Sequence, residues 1–219
     1  MANLAEELLL LAFNDRTGRN QAYHLDIGLA GAILLELSLL ERIDVGDKHI
    51  VVIDPRPTGD GLLDEMMQRI HDDKPRKPNA WVPRLSRNLT TRVRDRLVEA
   101  GALEHVKDTV LVVFPFNRYQ PGTGDTEADA LRRLTAAVDT GHSSDPRTGA
   151  LASLIYILQM ERVVFPDRKR RDVRAQLKII REGSWAGHAT KQAIEAASAA
   201  VAAAITAAVA ASSAAASSN

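Results

Sequence analysis

The chain has 219 residues, 45% hydrophobic and 26% charged, with 28 basic residues balanced by 28 acidic ones and no cysteine. This length supports one domain with a real core, and the lack of cysteine excludes disulfide scaffolds, Cys-ligated zinc, iron–sulfur clusters and thiol nucleophiles. Only 4% of residues are aromatic, so the core must be built from Leu, Ile, Val and Ala, which favours helices over a β-sandwich.

The N-terminus carries Glu6 and Glu7 where a secretory signal needs basic residues, so a cytoplasmic protein is expected. Asn3 with Glu6 reads as a helix cap, and Leu4, Leu8 and Leu11 predict an amphipathic helix to Phe13. After a loop at 15–20, Asp26 is placed to cap a helix to about Leu40 that is apolar almost all round and therefore buried. Gly28 and Gly31, one turn apart on it, would let another element approach closely. A hairpin is expected around Gly46, Asp47 and Lys48, followed by a helix capped by Thr58 or Asp60 that ends near Asp73.

Three prolines between Lys74 and Pro83 predict a linker, interrupted by Trp81. The next helix is read over Leu85 to Ala100, with Leu89, Val93 and Leu97 on its buried face. A hairpin then follows, turning at Lys107 and Asp108 and continuing through Thr109 to Phe116, with a loop from Asn117 to Thr126. Helices are expected to Thr140, from Leu151 to Phe165 behind Asp145-Pro146, and from Asp167 to about Glu182. From Ala196 to Asn219 no residue is charged; Ile194, Val201, Ile205 and Val209 share one face, as in a terminal helix docked on the body rather than a membrane span. The expected division is a helical domain over 1–188 and an Ala-rich helix with a frayed tail over 189–219. The fold class read from this pattern is mainly α, a compact helical domain with a buried apolar central helix and small β-hairpins in winged-helix-like helix–hairpin units.

Zero net charge conceals two basic runs, Lys74 to Arg96 and Arg162 to Arg181, which point to an anionic partner. His24, Asp26, His49, His71, Asp72 and Asp73 have no metal-ligand spacing, and the glycine-bearing loop at Pro121 lacks the lysine of a phosphate-binding loop. No metal, cofactor or catalytic residue is predicted, and no enzyme. Two uses of the arginines compete. In a winged helix, Arg87, Arg92, Arg94 and Arg96 would meet nucleic-acid phosphates, with the hairpin as wing. At a membrane, the arginines would meet anionic headgroups while Phe114 and Phe116 insert. The apolar run from Val110 to Phe116 and the balanced charge disfavour nucleic acid.

Several segments carry a resemblance: Leu-Ala-Glu-Glu-Leu-Leu-Leu-Leu-Ala-Phe-Asn-Asp-Arg-Thr-Gly at 4–18, Gly-Leu-Ala-Gly-Ala-Ile-Leu-Leu-Glu-Leu-Ser-Leu at 28–39, Pro-Thr-Gly-Asp-Gly-Leu-Leu-Asp-Glu at 57–65, Leu-Val-Glu-Ala-Gly-Ala-Leu at 97–103 and Leu-Ala-Ser-Leu-Ile-Tyr at 151–156. In this order they resemble the Golgi phosphoprotein 3 family, and the Arg- and Ala-rich composition suggests a prokaryotic member. The resemblance implies a helical, non-enzymatic peripheral protein at the inner face of the membrane that binds phosphatidylinositol 4-phosphate, with protein clients and self-association through the apolar hairpin. Of the family's headgroup pocket, Tyr23 stands for the aromatic and Arg87 for one arginine, while Ala30 and Thr90 fall where the others belong; Arg92 or Arg94 can substitute. Tyr23 and Trp81 are thus expected at the membrane interface, with Arg87, Arg92 and Arg94 on the phosphates.

Overall fold

The computed structural model describes residues 2–14, 19–20, 22–108, 116–122, 125–183, 195–207 and 210. Among them the chain runs α1 (Leu4–Ala12), β1 (Phe13–Asn14), β2 (Arg19–Asn20), α2 (Leu25–Leu39), β3 (Ile43–Gly46), β4 (His49–Val52), α3 (Gly61–Asp72), α4 (Pro78–Leu85) and α5 (Leu89–Glu99). It continues with β5 (Leu103–Asp108), β6 (Phe116–Pro121), α6 (Thr126–Thr140), α7 (Pro146–Ile157), α8 (Glu161–Val164), α9 (Arg170–Glu182) and a helix over 195–207, here α10. The fold is mainly helical, with three two-stranded antiparallel hairpins among the described residues.

The local chemistry that starts the helices is visible in the caps. Asn3 accepts from the Glu6 N–H while the Glu6 carboxylate accepts from the Asn3 N–H, a reciprocal pair that satisfies two otherwise orphan donors of α1. Asp60, rather than Thr58, accepts from the N–H groups of Leu62 and Leu63 to start α3. Asp145 accepts from the Thr148 N–H, with Pro146 at the first helical position, where its missing N–H costs nothing. Asp26 does not cap α2: the helix begins one residue earlier, behind His24 in a left-handed conformation, and Asp26 lies in the first turn.

Helix α2 is the centre of the molecule, buried from Leu25 to Ser38 except for Asp26, with α1, α4, α5 and α7 packed around it. Helix α1 is not amphipathic: all nine residues are buried, Glu6 and Glu7 included. A Cβ built on Gly31 would stand 2.1 Å from Val201 Cγ2, and one on Gly28 would stand 2.5 Å from Leu158 Cδ1. Both glycines are therefore where other elements seat against α2, and α10 is one of them, with Ala197, Ala200 and Val201 buried. The expected boundary at residue 188 falls within 184–194, outside the described residues, as do Ile194 and Val209. No helix among the described residues is long and apolar enough to cross a membrane.

Two further expectations are corrected. The proline-rich stretch is not a linker, because Pro78 sits at the start of α4, and Trp81, Val82 and Leu85 bury themselves on the core strongly enough to tolerate Pro83 within it. Lys107 and Asp108 are not a turn but the end of β5, paired with Asn117 and Phe116, so the first part of the segment read as a loop, Asn117 to Pro121, belongs to strand β6. The apolar, Val-rich run at 110–113 dominates the sequence signal, whereas the register is set by long-range pairing from Leu103 opposite Pro121. The β3–β4 hairpin is as expected, with Asp47 and Lys48 both at positive φ in its two-residue turn.

Candidate functional site

Most of the arginines that suggested an anionic partner already have one inside the protein. In the first basic run, Arg92 pairs with Glu65 of α3, Arg96 bridges Glu6 at 3.1 Å and Asp60 at 3.0 Å, and Arg76 pairs with Asp73 at 2.8 Å. Arg94 pairs with Asp95 at 2.7 Å and lies over the Tyr119 ring, 5.1 Å from its centroid. In the second run, Arg170 and Arg174 converge on Glu161, which is fully buried, and Arg168 pairs with Asp139. A third set seals the core: Arg133 and Arg147 reach buried Glu7, and Arg147 also reaches buried Glu36 at 2.5 Å. Burial raises the Glu36 carboxyl above the ordinary glutamate value, against the opposing pull of Arg147 and the Leu4 N–H.

The arginines thus fall into structural cations and available ones. Isolated buried carboxylates are costly, so Glu7, Glu36 and Glu161 require their guanidinium partners. Arg87, in the turn between α4 and α5, and Arg162 on α8 are exposed and make no ion pair among the described residues. Arg92 and Arg94, both partly covered by their internal partners, are less free to engage a surface.

The structure does not gather the predicted interface residues into one place. Tyr23 is 85% exposed. Trp81 is corrected: it is 2% exposed, its ring forming part of the core under α4, and its Nε1 is buried with no hydrogen-bond partner among the described residues. It cannot lie at a membrane interface without unfolding that helix. Ala30 is fully buried on α2, and Thr90 is half-buried at the start of α5. Phe114 lies outside the described residues, and Phe116 opens β6 with its backbone opposite Asp108.

Tyr23 instead stands at the mouth of a cleft of about 460 Å³ that sequence reasoning did not find. One wall is the turn before α2, the other is the α7–α8 connection with Arg162 and the start of α9 with Arg170, and Ile205 of α10 closes one side. Its cations come from α8 and α9, not from α5. Trp81 borders a different cleft, with Glu65, Arg69, Asp72 and Arg84. Arg92 borders a third with Arg96, Asp95 and Glu99. The cue to the Tyr23 cleft in sequence was faint: Arg162 is one residue of a long basic run, and nothing local says that it faces residue 23.

The family model described as Golgi phosphoprotein 3 (GPP34) matches residues 4–197. The vacuolar protein sorting-associated protein 74 of Schizosaccharomyces pombe is 26% identical over 135 residues, covering 50% of this chain and 40% of that relative. The chain thus spans less than half the length of the relative it matches. With the model matched across α1 to α9 and into α10, the chain belongs to the Golgi phosphoprotein 3 family.

Proposed function

We propose that the protein is a non-enzymatic peripheral membrane module that binds anionic phospholipid headgroups and serves as an adaptor for membrane-bound proteins. The observation that carries this reading is Tyr23, 85% exposed on a left-handed turn beside a cationic cleft. An aromatic ring with a polar tip left in water at such a place suits the boundary between headgroups and hydrocarbon. Arg87, exposed and without an ion pair among the described residues, supplies a cation for the same kind of surface. Family membership supports the reading, as does a relative named for vacuolar protein sorting. The winged-helix alternative is weakened by the internal pairs of Arg92, Arg94 and Arg96, since a recognition helix would have to break them to reach phosphates.

Sedimentation with neutral, phosphatidylserine-containing and phosphatidylinositol 4-phosphate-containing vesicles tests the proposal, with duplex DNA as competitor. Each surface basic contact is worth about 1 kcal/mol, so reversing the charge with Arg87→Glu changes binding by about 2 kcal/mol, roughly 30-fold. Tyr23→Ala weakens binding as well, and raised salt weakens all of it. Failure to bind any anionic vesicle at low salt, or unchanged binding by Arg87→Glu and Tyr23→Ala together, rejects the proposal. Preference for the phosphatidylinositol 4-phosphate vesicles identifies the headgroup.

A further inference from the structure

We infer that the cleft between α3 and α4 binds a carboxylate carried on a small apolar body, with the Trp81 Nε1–H and the Arg84 guanidinium on the carboxylate. The spacing of the sequence builds its two walls. Glu65, Gln68, Arg69 and Asp72 recur at helical spacing on one face of α3, and Trp81, Arg84 and Leu85 do so on one face of α4. Both helices pack on α2, and these two faces border a cleft of about 590 Å³, within the range of specific small-ligand sites. Leu85 and the Trp81 ring form its apolar floor, and the aliphatic stems of Arg69 and Arg84 extend it.

Hydrogen-bond bookkeeping at this cleft leaves donors over and no acceptors. Trp81 is 2% exposed, and its Nε1 is buried with no partner among the described residues. An indole nitrogen can only donate, so what it lacks is an acceptor, and buried donors without one are rare in native proteins. Arg84 is exposed; its Nη1 donates to the Ala80 carbonyl at 2.9 Å, while its Nε and Nη2 have no acceptor among the described residues. The acids of the rim are engaged already. Glu65 holds Arg69 at 2.8 Å and also Arg92, Asp73 accepts from Arg76 Nε at 2.8 Å, and Asp72 accepts from Gln68 Nε2 at 2.7 Å. One neutral and one cationic donor call for an anionic acceptor and exclude a cation as ligand. Three carboxylates on the rim disfavour a dianion such as phosphate, whereas the planar guanidinium fork fits a single carboxylate. Because Nε1 is closed off from water, the entering ligand displaces one of the exposed side chains Gln68, Arg69 and Arg84 to reach it.

The test is proton–nitrogen NMR of the full chain. The protein has two tryptophans, so Trp185→Phe leaves the Trp81 indole as the single signal of its kind. Isocaproate is expected to move the Trp81 Nε1–H resonance downfield and to saturate at one ligand per chain. Isocaproamide, of the same shape but neutral, is expected to bind about tenfold more weakly. Arg84→Gln, a substitution of an exposed side chain, is expected to bring the acid down to the affinity of the amide with the melting temperature unchanged. Trp81→Phe is expected to weaken acid and amide alike, about fivefold by calorimetry. An indole resonance that isocaproate leaves in place overturns the inference, the N–H then being met by water only. Equal affinity for acid and amide, unchanged binding by Arg84→Gln, or inorganic phosphate bound as tightly as the acid also overturns it. Acetyl-alanyl-leucine separates two sources of the same chemistry: tighter binding than isocaproate supports the carboxylate at the end of a protein chain, weaker binding supports a free acid. The membrane reading rests on Tyr23 and Arg87 instead, so vesicle binding and isocaproate binding can each fail without the other.

Discussion

Gly31 offers the most direct test of the tertiary arrangement, because a single carbon placed there collides with a helix about 170 residues away in the chain. In Gly31→Ala the new Cβ would sit 2.1 Å from Val201 Cγ2 and 3.6 Å from Leu154 Cδ2. Carbon atoms pack at about 3.5–4.0 Å, so Val201 or all of α10 must retreat by about 1.5 Å. Valine has one strongly preferred rotamer in a helix, so the side chain cannot simply turn aside. Overpacking of this kind costs about 1–3 kcal/mol, and the gain in helix propensity from Gly to Ala returns about 1 kcal/mol. A severe overlap belongs near the upper end, for a net loss of about 2 kcal/mol, which lowers the melting temperature of a chain this size by about 4–8 °C. Undocking of α10 limits the loss, since burying Val201 is worth about 1.5–3 kcal/mol. The assays are urea denaturation and limited proteolysis between residues 184 and 207. Val201→Ala on the Gly31→Ala background removes the colliding methyl and recovers most of the loss, so the two substitutions couple with opposite sign to simple addition. A Gly31→Ala protein as stable and as protease-resistant as the wild type, or strict additivity of the pair, refutes the seating of α10 on α2. Gly28→Ala is the internal comparison: its collision is with the end of the flexible Leu158 side chain at 2.5 Å, which can rotate, so the loss is smaller.

Glu161→Gln removes the fully buried charge shared by Arg170 and Arg174; both arginines are more than a third exposed and recover some hydration, so the expected cost is about 2 kcal/mol by urea denaturation rather than the full value for breaking a buried pair. Because burial raises Glu36 above the ordinary glutamate range, the folded protein holds that proton more tightly than the unfolded chain. Stability of the wild type relative to Glu36→Gln should therefore fall as pH rises from the ordinary glutamate value through the raised one, and level off above it; a difference curve that climbs with pH contradicts the assignment. Trp81→Phe should leave vesicle binding unchanged while altering stability, since the ring is in the core and its Nε1 has no partner to lose among the described residues.

The amino-acid sequence by itself determined the features whose physics is local. Asn3 with Glu6, and Asp60 and Asp145, start their helices through hydrogen bonds spanning two or three residues. The apolar run of α2 could only be buried, and its two glycines could only mark close approach. What stood on Gly28 and Gly31 was decided by tertiary structure, as was the role of nearly every arginine. Arg96 meets Glu6 across 90 residues, Arg147 meets Glu36 across 111, and Arg133 meets Glu7 across 126. A basic run looks unpartnered when the acids that neutralise it lie in α1, α3 and α8. Trp81 was misplaced for a related reason, since proline density describes backbone entropy while burial of a ring depends on what packs above it. The cleft beside Tyr23 is built from three stretches far apart in the chain, at 22–24, 157–170 and 205, so no spacing in the sequence encodes it. Helix starts are read from neighbours along the chain; charge pairing and cavities exist only once distant elements meet, because their energies depend on distance in space.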